Sequence, residues 1–124
     1  MPPKRPTTVP AGPLIEQIPY SYNLAAAGAL GSQVTLSEYA PFKGIIKEVI
    51  VHWPNNCNAL VDVRVGHGTK QFCPREGYLA LNNATVKYGF NEPVDDHEEI
   101  WVEMINTDGG FTHNITVTVT DEED

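Results

Sequence analysis

Lysine and arginine are scarce in this sequence. There are eight of them against sixteen acidic residues in 124, a net charge of −8 at pH 7. A protein that grips a phosphate backbone needs clustered cations, so nucleic acid is not an expected partner. Long apolar runs are missing too. The nearest candidate, Leu24 to Leu30 (LAAAGAL), falls far short of the roughly 18 residues that cross a bilayer, and no membrane partner is expected. The start, MPPKRPTTVP, carries positive charge with no apolar segment behind it. A secretory signal is therefore not expected, and synthesis in a cytoplasm is.

Cysteine is limited to Cys57 and Cys73, which form no C-x-x-C pair and so suggest neither a zinc nor a thioredoxin-type site. Two small free thiols, buried or half-buried, suit a reducing compartment. A disulfide closing this short loop, worth roughly 3 kcal/mol, stays open as an alternative. The glycines make no phosphate-binding pattern, because Gly66-His67-Gly68 lacks the rest of any known motif. His52, His67, His97 and His113 show no metal-ligand spacing. The acidic run Asp95-Asp96-His97-Glu98-Glu99 lacks the ligand-glycine order of a calcium loop and reads as a solvated turn. Asn83-Ala84-Thr85 and Asn114-Ile115-Thr116 match the glycosylation pattern and, without a secretory signal, are expected to be chance matches. No metal, cofactor or small-molecule substrate is expected. With no recognisable nucleophile or acid–base set, neither is an enzyme.

What the sequence does have is alternation. The chain has the length of one domain, and a hydrophobic fraction of 41% suffices for one core. Val49, Val51 and Trp53, with Ile45 before them, share one face of a period-two pattern, opposite Ile46, Glu48, Ile50 and His52. The same period places Ala59, Val61, Val63 and Val65 inside a second strand, and Ala84, Val86, Tyr88 and Phe90 inside a third. Ile100, Val102 and Met104 follow, then Ile115, Val117 and Val119. Weaker strands are expected at 21–24, 33–38, 71–73 and 78–81. Turn chemistry separates them, and Thr107-Asp108-Gly109-Gly110 reads as the hairpin joining the last two. The pattern predicts an all-β fold, a β-sandwich or jelly roll of about seven to nine short antiparallel strands.

Ahead of this body Pro2, Pro3, Pro6, Pro10, Pro13 and Pro19 favour extended, polyproline-like chain. The expected organisation is an arm over residues 1–20, a sandwich over 21–120 and an acidic tail over 121–124. Charge is unevenly spread. The first ten residues hold Lys4 and Arg5 and no acid, whereas Asn91–Asp124 hold eleven acids and no Lys or Arg. This serves solubility or makes a dipolar module whose arm and tail meet different partners. Among the aromatics Trp101 stands out, because it alternates opposite Ile100, Val102 and Met104 and so falls on the outer face. An exposed tryptophan there marks a packed interface or a ligand face.

The arm MPPKRPTTVPAGPLIEQIP, followed by a β domain from KGIIKEVIVHWPNNCNALVDVRVGHGTKQF to IWVEMINTDGGFTHNITVTVTDEED, resembles the capsid decoration, or cement, proteins of tailed bacteriophages. The resemblance spans nearly the whole chain and includes no catalytic or ligand-binding motif. It implies a structural protein of the virion exterior, often a homotrimer, made in the host cytoplasm. Its partners would be the major capsid protein and copies of itself. Pro2, Pro3, Lys4, Arg5, Pro6, Pro10 and Pro13 of the arm, together with Trp101, are the expected contact residues. A sugar-binding or receptor-binding sandwich that stacks its ligand on Trp101 or Trp53 is the alternative.

Overall fold

The computed structural model describes residues 13–124. Eight strands form: β1 (Ile15–Leu24), β2 (Gln33–Tyr39), β3 (Gly44–Trp53), β4 (Val61–His67), β5 (Lys70–Cys73), β6 (Ala84–Val94), β7 (Glu99–Asn106) and β8 (His113–Glu123). They make two four-stranded sheets, ordered β1-β8-β3-β6 and β2-β7-β4-β5. The pairing is nested: β1 with β8, β2 with β7, β3 with β6 and β4 with β5, all antiparallel. The chain is in effect one long hairpin, closed at β4–β5 and rolled up so that β3 also meets β8 and β4 also meets β7. This is a jelly roll, one of the two expected forms of the sandwich.

Alternation drives the arrangement. Val61, Val63 and Val65 from one sheet and Val49, Val51, Ile115, Val117 and Val119 from the other are fully buried. β-Branched side chains fit a pleated surface that is covered on one side. Two of the polar groups caught inside are satisfied across the sandwich. Trp53 donates its indole N–H to the Val61 carbonyl at 3.1 Å, and the Tyr20 hydroxyl donates to the Ile100 carbonyl at 2.7 Å. Each bond joins the two sheets at a residue that would otherwise bury an unpaired group.

The expected boundaries and faces move in several places. First, β1 begins at Ile15 and carries Ile18 and Tyr20 into the core, so the sandwich starts at residue 15 and not at 21. Pro19 is tolerated because β1 is an edge strand, where a missing N–H costs no ladder bond on the open side; Pro93 in β6, at the opposite edge, obeys the same rule. Second, β8 runs to Glu123 and buries Asp121, so the acidic tail is largely strand. Third, a bulge between Ile46 and Glu48 shifts the parity of β3, which puts Ile46 in the core and turns Ile45 outward. Fourth, β7 and β8 belong to different sheets, so residues 107–110 form an arch between the sheets, not a hairpin. Ala59 likewise sits outside its expected strand, in the turn before Val61 with φ of 59°. Residues 78–81 contribute only an isolated bridge, Val63 to Leu79.

The topology gives the body two ends. The β2–β3, β4–β5 and β6–β7 connections gather at one end, with the start of β1 and the finish of β8. The other four connections gather at the far end.

Candidate functional site

Of the expected contact residues, Pro2, Pro3, Lys4, Arg5, Pro6 and Pro10 lie outside the described residues. Pro13 is described and exposed, just ahead of β1. At this root the Leu14 carbonyl accepts the Glu123 amide at 2.8 Å, and Ile15 pairs with Glu122. The two ends of the chain, far apart in sequence, therefore meet in space. Acids surround the root: Glu16, Glu38, Asp95, Asp96 and Glu122–Asp124 all belong to this end. Lys4 and Arg5, the cations of the expected dipole, lie outside the described residues. Apolar surface collects here as well. Leu14 is 58% exposed, Ile15 61% and Tyr39 65%, and Tyr39 lines a groove of about 340 Å³ between β1 and β2 with Glu16, Ile18, Pro19, Glu38 and Pro41.

Trp101 occupies the outer face of the β2-β7-β4-β5 sheet, as its parity predicts. Its ring rests over Gly66, the residue directly opposite on β4. Its Nε1–H donates to the Gly68 carbonyl at 2.9 Å. Beside it the Arg64 guanidinium lies 5.7 Å from the Trp101 ring centroid and 5.0 Å from that of Tyr78. Arg64 donates from Nε to Glu103 and from Nη1 to Gln71 at 2.8 Å. Glu103 also accepts from Gln33 at 3.0 Å and from the Tyr78 hydroxyl at 3.3 Å. Thr35, Ser37, Arg64, Glu99, Trp101 and Glu103 line an open cleft of about 300 Å³. Trp53, the other stacking candidate, is fully buried and presents no face to a ligand.

Two clusters of titratable groups and one lone carboxylate were not legible as such in the sequence. His67, at the end of β4, is clamped between two carboxylates: Nδ1 stands 2.7 Å from Glu98 and Nε2 2.7 Å from Glu92, which Lys70 also meets at 2.7 Å. Burial pulls the imidazole down, but the hydrogen bonds and charges of Glu92 and Glu98 outweigh it and the net shift is upward. Burial raises the two glutamates and their bonds lower them, with a net fall for both. Glu98, expected to be a solvated member of an acidic turn, thus braces the β6–β7 connection against β4.

At the far end Cys57, His113 and Asp108 line up, with Sγ 3.7 Å from Nδ1 and Nε2 2.9 Å from Oδ2. This row resembles a nucleophile with its base. However, the sulfur has no exposed surface, and burial followed by the Asp108 charge pushes the thiol up, away from the reactive thiolate. The Asp108 carboxylate accepts the imidazole N–H, which leaves Nδ1 to accept from the thiol, so the row works as a buried polar network. Cys73 is buried too, and both cysteines are free thiols.

The third feature is Asp121, fully buried on the core side of β8. Neither carboxylate oxygen has a hydrogen-bond partner among the described residues, and burial pushes the group up to about 6.

Fold and surface together define an all-β jelly-roll domain with exposed apolar side chains at the start of its first strand and an aromatic–arginine cleft on one sheet. No protein-family model matches the chain, and no curated protein is similar to it in sequence. Among solved structures it is similar to FLHE, at 17% identity over 90% of this chain and 98% of that one, with a TM-score of 0.48. It is similar to a chain of desmodium yellow mottle tymovirus at 9% identity, over 99% of this chain and 95% of that one, with a TM-score of 0.38. It also matches a chain of the infectious bursal disease virus Gx strain at 12% identity, over 87% of this chain and 32% of that one, with a TM-score of 0.38. At these scores none of the likenesses bears on what the chain does.

Proposed function

We propose that this chain is a non-enzymatic structural protein of a virion, docked on the outside of the capsid and bridging neighbouring capsid subunits through its N-terminal arm. The observation that carries the reading is the root of the arm. Leu14 and Ile15 expose apolar side chains at the start of β1, and Tyr39 exposes another in the groove between β1 and β2; large apolar side chains exposed at the same end of the body support a contact there. The jelly roll is a fold that viral capsid domains use, which supports the reading at the level of analogy only, since lectins and cupins use it as well. An arm rich in proline loses less entropy on ordering than a flexible one and can cover much surface with few residues. Repeated attachment to identical sites on a shell multiplies weak contacts. A protein that binds only assembled shells stabilises them by mass action. In this reading the body forms a homotrimer with its own copies and the arms reach the major capsid protein.

The test is co-sedimentation with assembled shells. Deletion of residues 1–13 leaves β1 whole, whereas deletion through residue 20 would strip Ile18 and Tyr20 from the core and unfold the body for an unrelated reason. The truncated chain is expected to stay folded and to lose attachment. Attachment at full strength without the arm overturns the reading.

A further inference from the structure

The geometry points to a saccharide site on the outer face of the β2-β7-β4-β5 sheet, where Trp101 stacks on a neutral pyranose ring and Arg64, Glu99 and Ser37 hydrogen-bond its hydroxyls. This site is independent of the arm and of capsid attachment. Its first support is the preparation of the indole. Glycine inside a strand weakens the strand, and its presence there often marks a close approach by another group. At Gly66 a Cβ would fall inside the Trp101 ring at Cζ2. The Trp101 N–H is spent on the Gly68 carbonyl, and the Arg64 guanidinium lies over the ring, 5.7 Å from its centroid. A large aromatic is thus held rigidly on a half-exposed surface, where ordinary packing has no need of it.

The second support is the chemistry of the lining. The two protein hydrogen bonds of Arg64 use Nε and Nη1, and Nη2 makes none among the described residues. The Glu99 carboxylate meets, among the described residues, only the Ser37 hydroxyl, at 3.4 Å. Thr35 and Ser37 add two more hydroxyls. Donors and acceptors are thus mixed around one aromatic face, and a cleft of about 300 Å³ falls in the size class of small-molecule sites. A pyranose matches both halves. Its C–H face carries the partial positive charge that an aromatic π face attracts, and its vicinal hydroxyls both donate and accept.

The third support is charge. One guanidinium faces the two carboxylates of Glu99 and Glu103, so the cleft is net negative. Sialylated or uronic-acid sugars are disfavoured, and the ligand class is neutral.

The test uses the full-length chain, with an array of neutral and acidic oligosaccharides and with the methyl glycosides of glucose, galactose, mannose and N-acetylglucosamine as soluble probes. Tryptophan emission reports binding, because Trp53 is buried and Trp101 is not. At least one neutral glycan is expected to give a saturable change. Trp101→Ala should abolish it. Glu99→Gln, at an exposed position that the core does not use, should weaken it about tenfold, the usual size for a hydrogen bond to a charged group. Circular dichroism on both variants separates lost binding from lost folding. A silent array and flat titrations overturn the proposal. So does undiminished binding by both folded variants, or a preference for acidic glycans. Loss of shell attachment by Trp101→Ala with no glycan bound would assign the face to a protein partner and overturn it as well.

Discussion

Replacing Asp121 by Asn should stabilise this protein at neutral pH and do nothing of the kind in acid. Asp121 continues the inward row of Ile115, Val117 and Val119 on β8, is fully buried, and has no hydrogen-bond partner for either oxygen among the described residues. Burial raises its carboxyl from 3.8 to about 6. Between those values the unfolded chain has released the proton while the folded chain keeps it, so stability falls as pH rises through this window. Above it both states are ionised, and the loss levels off at about 3 kcal/mol. Asparagine preserves the shape and removes the titration. The assay is denaturant unfolding of both proteins at several pH values from 3.5 to 8. The advantage of Asp121→Asn over the parent should grow from about zero at the acid end to about 3 kcal/mol at pH 8. Taking the difference between the two proteins cancels other carboxylates, including Glu92 and Glu98, whose lowered values act with the opposite sign. A difference that stays flat across this range would refute the reasoning, whatever its size.

Two further predictions concern packing and one the histidine clamp. Ile46→Ala should cost about 2–5 kcal/mol and Ile45→Ala far less, because the bulge has exchanged their faces; equal losses in thermal unfolding would remove the bulge from the account. Gly66→Ala should displace the Trp101 ring and shift its fluorescence, since the new methyl has no room beneath it; an unchanged spectrum would contradict the close approach. His67, raised by its two glutamates, stabilises the fold below its ordinary 6.5, and that contribution fades as pH climbs through the folded value. Its NMR titration midpoint should lie above 6.5 and drop in Glu92→Gln, whereas a midpoint unmoved by the substitution would deny the clamp.

The interior of the sandwich could be read from alternation because one covered face imposes period two on every strand that borders it. Val61–Val65, Ile100–Met104 and Ile115–Val119 follow the rule without interruption. Where the reading erred, a local feature hid the same rule. Pro19 masked the alternation of Ile18, Tyr20, Tyr22 and Leu24, because proline suggests loop until the strand is known to lie at an edge. The run Asp121-Glu122-Glu123-Asp124 looked like a solvated tail, although carrying the period of β8 two residues further would have placed Asp121 inside. The bulge in β3 left no mark in the sequence. The clusters were hidden for a different reason. Arg64, Trp101 and Glu103 meet through the β4–β7 register, and His67 meets Glu92 and Glu98 through the roll of the sheet. Only the parity of Trp101 gave a signal beforehand, and it fixed the face without the company.

The central claim is that the arm leaves its own body to hold the shell, and a cryo-electron-microscopy map of shells carrying the full-length chain tests it most directly. The account predicts density for residues 1–12 running from the exposed Leu14–Ile15 root onto a neighbouring capsid subunit. Density that turns back along the β1–β2 groove of its own body, or shells that carry no bound copies, would contradict it.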